Sequence, residues 1–345
     1  MTIREIATLA GVSPAAVSLV LHQKKGIGED TRQRVQAVID EMGYMGGQKR
    51  KAKRFRIALI KYTTHGIAVE ENQGFIASII DRIEIECRRC AFDMVMCSCQ
   101  AKTAAEIIRE LMLDPPNGVI FIGTELSAED CSLLDLITVP VLVLDNHIEC
   151  LGRDSLVMAN AFITANAVEY LYELGHRDIG YYQFKLPIHN CQERYQGYLQ
   201  QMERLGLTPP APLRMMPTLK GSYEDMLRLI KEEGYVPHGA VVADNDTVAI
   251  GAMKAIREAG YRIPEDVSIV GVDDSPFSAV TMPALTTMRI SRSTLASLAV
   301  DMLRNRLEHP EWPNMHMQIT GKLVVRKSTK KVEILTEEND NHQTC

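Results

Sequence analysis

The 345-residue sequence has no run of 18 apolar residues, too little for a helix that crosses a bilayer. Its first residues lack the apolar core of a secretory leader, so a cytoplasmic location is expected. There is no Gly-x-Gly-x-x-Gly after an apolar run, no Gly-x-x-x-x-Gly-Lys phosphate loop and no Gly-x-Ser-x-Gly elbow. His176 and His189 have no arranged Ser or Cys partner in the sequence. Dehydrogenase and hydrolase chemistry are therefore left without their groups, and no catalytic residue, cofactor or metal is expected. The eight cysteines are Cys87, Cys90, Cys97, Cys99, Cys131, Cys150, Cys191 and Cys345. They lack the compact knuckle spacing of a zinc site. Cys87 with Cys90 and Cys97 with Cys99 could be metal half-sites, but they fall on a predicted helix and a predicted strand. They read instead as thiols acting as small buried hydrophobes. The polar end, 332–345, has no leucine heptads, so no coiled coil is expected there.

What is present is organised by charge. Residues 1–56 hold 11 Lys and Arg against 5 Asp and Glu, whereas the rest of the chain holds 27 against 39. A basic head on an acidic body is attracted to phosphate only through the head. That head also carries helix signals. Thr2 and Glu5 have the spacing of a capping box. Ile6, Leu9 and Ala10 repeat at helical spacing, and Gly11 then allows a left-handed stop. Ser13 can cap a second helix with Pro14 at its first position and Val17, Val20 and Leu21 inward. Two short helices around a tight glycine turn make a helix-turn-helix, whose second helix enters the major groove. A third helix is expected over 29–42, with Val35, Val38, Ile39 and Met42 inward and Gly43 ending it. The outward face of the second helix presents Ala15, Ser18, Leu19 and His22, flanked by Ser13 and Ala16. With Thr2, these are the expected DNA-contacting residues of the head. Ala15 and Leu19 offer methyl groups rather than forked hydrogen bonds, which suits contact with thymine methyls.

The length implies two or three domains. Strand-like apolar runs at 57–60, 92–97, 119–122, 141–144, 179–184, 240–243 and 267–272 alternate with helical patterns near 74–90, 103–113, 161–175, 191–206, 222–234 and 246–259. Such strands belong to parallel sheets covered on both faces. The number of units fits two doubly wound lobes with a cleft between them. Ligands of such sheets sit beyond the carboxyl ends of the strands. Asp145, Arg194, Asn245, Asp246 and Asp273 fall there. An Arg fork, carboxylates and an amide suit a polyhydroxylated ligand. Asn245 and Asp246 could equally cap their helix, and Asp274 could anchor a turn.

Several stretches together resemble the LacI/GalR family of bacterial transcription regulators. They are Ile6-Ala-Thr-Leu-Ala-Gly-Val-Ser13, Val17-Ser18, Thr31-Arg32-Gln-Arg34-Val35, Gly43-Tyr44, Leu174-Gly-His-Arg-Asp-Ile-Gly180, Glu193-Arg194-Tyr-Gln-Gly197-Tyr198, Asp244-Asn245-Asp246-Thr-Val-Ala-Ile-Gly251 and Pro264-Glu-Asp-Val-Ser-Ile-Val-Gly-Val-Asp273-Asp274. The resemblance implies a small all-α helix-turn-helix head (1–44), a basic linker (45–56) and a periplasmic-binding-protein-like α/β body. The first lobe of that body is 57–157 with 289–318, the second 158–288 with 319–331, and the chain crosses near Val157, Met288 and Ile319. It further implies that Phe75, Asp145, Arg194, Asn245 and Asp273 contact an effector, and that a homodimer binds palindromic double-stranded operator DNA. A repressor controlled by a small metabolite, a carbohydrate above all, is the expected function. The alternatives are a ligand sensor that binds no DNA and, further off, an α/β enzyme. Two departures from the family pattern stand out. The loop 213–220 has no aromatic residue with which to stack a ligand. The linker has no leucine and two adjacent glycines, but it carries Lys49, Arg50, Lys51 and Lys53, so it is expected to track phosphates as a flexible basic arm.

Overall fold

The structure, a computed structural model, describes residues 3–21, 24, 26–41, 55–70, 72, 74–147 and 152–332. It divides into two compact units, residues 1–54 and 55–345. Thr2, His22, Met42, the linker lysines and arginine (Lys49, Arg50, Lys51, Lys53) and the polar end from residue 333 lie outside the described residues.

In the smaller unit, α1 (Ile3–Ala10) and α2 (Pro14–Leu21) meet at 105° and are followed by α3 (Glu29–Glu41). Gly11 turns the corner at φ +65°, where a Cβ would be strained. The turn lets the Val12 N–H donate to the Ala7 carbonyl at 3.0 Å. Ser13 caps α2 by accepting the Ala16 N–H at 3.2 Å. The core consists of Ile6, Ala7, Ala10, Val17, Val20, Val35 and Ile39. Leu9 departs from its expected inward place and is 55% exposed. The buried stripe is centred between Ile6 and Ala7, which leaves Leu9 about 110° off centre at 100° per residue. On α2, Ala15 is exposed, and Ala16, Ser18 and Leu19 are partly so.

The larger unit begins with β1 (Arg56–Thr63), α4 (Ile67–Glu70), α5 (Phe75–Arg89), β2 (Asp93–Gln100), α6 (Ala101–Leu111), β3 (Gly118–Ile122), β4 (Val141–Leu144) and β5 (Asp154–Met158). It continues with α7 (Asn160–Glu173), β6 (Ile179–Phe184), α8 (His189–Arg204), β7 (Leu213–Met215), α9 (Leu219–Lys231), β8 (Ala240–Ala243), α10 (Asp246–Glu258) and β9 (Ser268–Asp273). Last come β10 (Thr286–Arg289), α11 (Arg292–Glu308), β11 (His316–Ile319) and β12 (Lys322–Val324). Among the described residues these strands form two six-stranded sheets, ordered β11-β5-β4-β3-β1-β2 and β12-β10-β9-β8-β6-β7. All pairings are parallel except β10 with β12. Strand residues alternate between cores: Ile57 and Leu59 face one apolar cluster, Ala58 and Ile60 the other. Cys87 and Cys99 are buried in these clusters. No single described helix is long and apolar enough to cross a membrane.

The chain passes between the sheets after Met158, after Arg289 and after Ile319. The second passage delivers α11, which the sequence reading left unassigned. α11 packs on α5 and on β3 to β5. Arg306 pins it to the sheet by a forked pair with Asp154, Nε and Nη2 each at 2.8 Å from a carboxylate oxygen.

In the second sheet, α8 lies so close to α7 that a Cβ on Gly197 would sit 2.1 Å from the Ala161 carbonyl oxygen. Gly197→Ala is therefore expected to push α8 away and lower stability by about 1–3 kcal/mol. Urea denaturation would read this as a lower midpoint at an unchanged slope.

Candidate functional site

The carboxyl ends of six parallel strands open on one cavity between the two sheets. Thr124 follows β3, Asp145 follows β4, Met158 ends β5, Phe184 ends β6, Asn245 follows β8 and Asp273 ends β9, and all six line it. The cavity holds about 360 Å³ of space free of protein atoms, part of it open to solvent, and little of that space is wide enough for a water molecule. Phe75, Asp145, Arg194, Asn245 and Asp273, the five residues that the sequence nominates, are all on its wall.

Arg194 projects from the second turn of α8 and is 4% exposed. Its Nε donates to Asn160 Oδ1 at 3.0 Å and its Nη1 to the Asp244 carbonyl at 2.5 Å. Nη2 lies 3.6 Å from Asp273 Oδ1. Asp145 and Asp273 hold φ of +64° and +107°, strained for residues with a Cβ, and strain of this kind clusters where side chains must be aimed. Asp145 accepts the Thr124 hydroxyl at 2.6 Å. Asn190 Nδ2, from the first turn of α8, donates to both the carbonyl and Oδ1 of Asp145 at 3.0 Å. Asn245 caps α10, its Oδ1 accepting the Val248 N–H at 3.0 Å, while its Nδ2 faces the cleft. Asp246 turns away and is structural: it accepts the Thr287 hydroxyl at 2.6 Å and the Ser275 N–H at 2.7 Å. Asp274 anchors a turn through Arg289 and Arg326.

Phe75 opens α5 on the first lobe and Phe184 ends β6 on the second. Phe184 and Ile188 supply apolar wall where the loop 213–220, which does not line the cavity, supplies none. A further carboxylate shapes the wall without touching the cavity. Glu125 Oε2 accepts the N–H groups of Thr64, His65 and Gly66 at 2.8–2.9 Å, and Oε1 those of Ala68 and Val69 at 2.9 and 3.3 Å. Five amides on one buried carboxylate fix the loop that leads into α4 and on to Asn72.

Electrostatically the site is crowded with acid. Burial pushes the carboxyls of Asp145 and Asp244 up to about 6, against the opposing pull of Arg194. Burial carries Asp246 further, to about 8, with Asp273 adding repulsion. Asp273 is itself raised by burial, with Arg194 and Asn72 pulling it back. The guanidinium of Arg194 is correspondingly held charged by Asp273 and its other neighbours.

Thr124, Asn72, Asn160, Asn190 and Asp244 are site residues that sequence reasoning did not name. The carboxyl-end rule, applied to the strand ending at Ile122, finds Thr124. Asn160 follows a strand that was not recognised. Nothing in the pattern around Asn72 marks it.

A helix-turn-helix ahead of two lobes that close on a polar cavity defines a ligand-responsive DNA-binding regulator. Residues 2–46 match the bacterial regulatory proteins of the lacI family, and residues 168–329 match the periplasmic binding protein-like domain. The HTH-type transcriptional repressor PurR of Haemophilus influenzae (strain PittEE) is 29% identical over 344 residues, covering 96% of this chain and 99% of its own length. PurR of Mannheimia succiniciproducens is 28% identical over 340 residues, with coverage of 96% and 99%. Among solved structures, the lac repressor dimer bound to operator and the anti-inducer ONPF is similar at TM-score 0.72 and 25% identity, covering 96% of this chain and 99% of its own. The CelR–cellobiose complex shares the fold at TM-score 0.70 and 22% identity, with coverage of 95% and 99%. The chain belongs to the LacI family, and it is a DNA-binding transcriptional repressor rather than an enzyme.

Proposed function

We propose that the protein acts in the cytoplasm as a homodimer that holds a palindromic operator through its heads and changes its grip when an uncharged, sugar-like metabolite enters the cleft. The observation that carries this reading is the convergence of Asp145, Arg194, Asn245 and Asp273, from four different elements, beside Phe75 in one cavity. Carboxylates, an amide and a guanidinium together both donate to and accept from adjacent hydroxyls. The two lobes are residues 57–157 with 289–318 and 158–288 with 319–331, and the effector couples to DNA by binding their two arrangements unequally. Phe277, Val280 and Met282 leave an apolar patch 52%, 76% and 77% exposed, which supports pairing with a second copy. The lac repressor structure is itself a dimer on operator. On α2, Ala15, Ser18 and Leu19, with Ser13 and Ala16 beside them, read the bases. His22 joins the base-reading face, and Thr2 with the basic Lys49, Arg50, Lys51 and Lys53 adds backbone contacts.

The test starts from a random DNA pool, selected with the full-length protein. A palindrome is expected, and replacing one half-site thymine with uracil should weaken binding by removing a methyl that Ala15 or Leu19 touches. Thermal shift with a panel of sugars, ribose and cellobiose among them, should then find a ligand that also changes operator affinity. Failure to enrich any DNA sequence would leave a sensor without DNA binding. Ligands that stabilise the protein but leave operator affinity unchanged would refute the coupling.

A further inference from the structure

The polar groups of the cleft are already engaged, and one side chain of the first lobe engages three residues of the second. Asn72, on the first lobe between α4 and α5, reaches across to three residues of the second. Its Nδ2 donates to Asp273 Oδ2 at 3.1 Å. Its Oδ1 accepts from Asn245 Nδ2 at 2.9 Å and from the Thr247 hydroxyl at 3.2 Å. Two of these partners, Asn245 and Asp273, are effector contacts in the reading above, and Asn72 itself lines the cavity. Asp273 is 2% exposed, and its Oδ1 accepts no hydrogen bond among the described residues, although it faces Arg194. An acceptor is thus left over beside the carboxamide.

We propose that the Asn72 carboxamide stands in the effector's place, so that the effector is an uncharged molecule presenting a hydrogen-bond donor next to an acceptor oxygen and binds by displacing Asn72. The argument is one of matched chemistry. The second lobe offers one carboxylate acceptor beside two donors, an amide N–H and a hydroxyl. A carboxamide satisfies all three with a single planar group. A vicinal pair of hydroxyls or a lactam edge presents the same donor and acceptor side by side. An anionic group can accept from Asn245 and Thr247, but it meets Asp273 with no proton to give, and Asp145 also lies on the wall. An ammonium can donate to Asp273 but leaves two donors facing it. The ligand must therefore compete with an internal occupant, and its apparent affinity is reduced by the fraction of molecules in which that occupant is seated.

This inference rests on the cleft being the effector site, and chemical rescue separates the two. In full-length Asn72→Ala, amide hydrogen exchange at residues 184–194 and 245–248, on the opposite lobe, should quicken about tenfold or more, the scale set by losing two neutral hydrogen bonds and one to a carboxylate. A purely local defect would quicken exchange only around residues 64–76. Acetamide, the missing group as a free molecule, should restore protection in the variant while leaving the wild type unchanged. At ten times its Kd it should shift the balance about tenfold. Acetate and methylammonium at the same concentration should restore nothing. Wild-type exchange in the variant, no rescue by acetamide, or equal rescue by acetate or methylammonium would each overturn the inference. The effector-site reading would still stand if a sugar stabilised the wild type and altered operator affinity.

Discussion

Arg194→Ala is expected to lose its effector response and about 3–5 kcal/mol of folding stability together, the cost of leaving buried charge uncompensated. From sequence alone, the variant is expected to lose the response and keep its effector-free DNA affinity. The structure adds a stability cost to that expectation. Arg194 is enclosed, holding Asn160, the Asp244 carbonyl and the field of Asp273, so it is part of the second lobe's frame as well as of the cavity wall. Arg194→Lys should recover little, because a single ammonium cannot reach Asn160 and Asp244 along the two arms of a fork. Chemical denaturation at pH 7 checks the magnitude. The deficit should shrink at pH 5, where Asp145 and Asp244, both near 6, take up protons and need a cation less. A variant as stable as wild type at pH 7 would show that water reaches these carboxylates.

The second large effect is a stability that falls as pH rises. Asp145, Asp244 and Asp246 have folded-state values raised from 3.8 to about 6, 6 and 8. Above the unfolded value the unfolded chain has released these protons while the folded chain still holds them. Stability is then lost as pH rises from about 4 through the folded values, with the decline continuing to about pH 8 because of Asp246. At about 1.4 kcal/mol per unit, Asp246 alone accounts for several kcal/mol of this slope. Asp246→Asn keeps an acceptor for the Ser275 N–H and gives Thr287 a donor to accept from. It should flatten the curve between pH 6 and 8 and leave the variant more stable than wild type at pH 8. Melting curves across that range, taken without ligand, decide it; a wild-type curve that rises toward pH 8 contradicts the assignment.

Much of this site was legible because parallel strands advertise their ends. Asp145 and Asp273 each stand where an apolar run stops, Asn245 caps the helix that follows its strand, and Arg194 sits in the second turn of the helix after β6. The head was legible for a different reason, since Gly11 and Ser13-Pro14 fix the backbone through their own chemistry. What escaped has separate causes. β5 and β11 are short and carry polar residues among their apolar ones, whereas α11, whose buried Leu295, Ala296, Ala299, Val300, Met302 and Leu303 keep helical spacing, went unassigned although its stripe is there. Asn72 and Asn190 were invisible because an amide is informative only through what faces it. Their partners are 173 and 45 residues away along the chain. Leu9 misled because spacing alone gives a face, and the width of the buried stripe depends on neighbours that sequence does not display.

The three passages also set an order of events during synthesis. The first sheet takes its last strand, β11, from residues 316–319, and its covering helix α11 from 292–308. Until those residues leave the ribosome, β5 has an open edge and Asp154 lacks Arg306. The head needs only its three helices, the last of which ends at Glu41. At about 5–20 residues per second, the nascent chain therefore carries a foldable DNA-binding module for roughly 15–60 s before the regulated body can close. A nascent head released early, by stalling or cleavage, would be a DNA-binding fragment with no effector cleft to answer to.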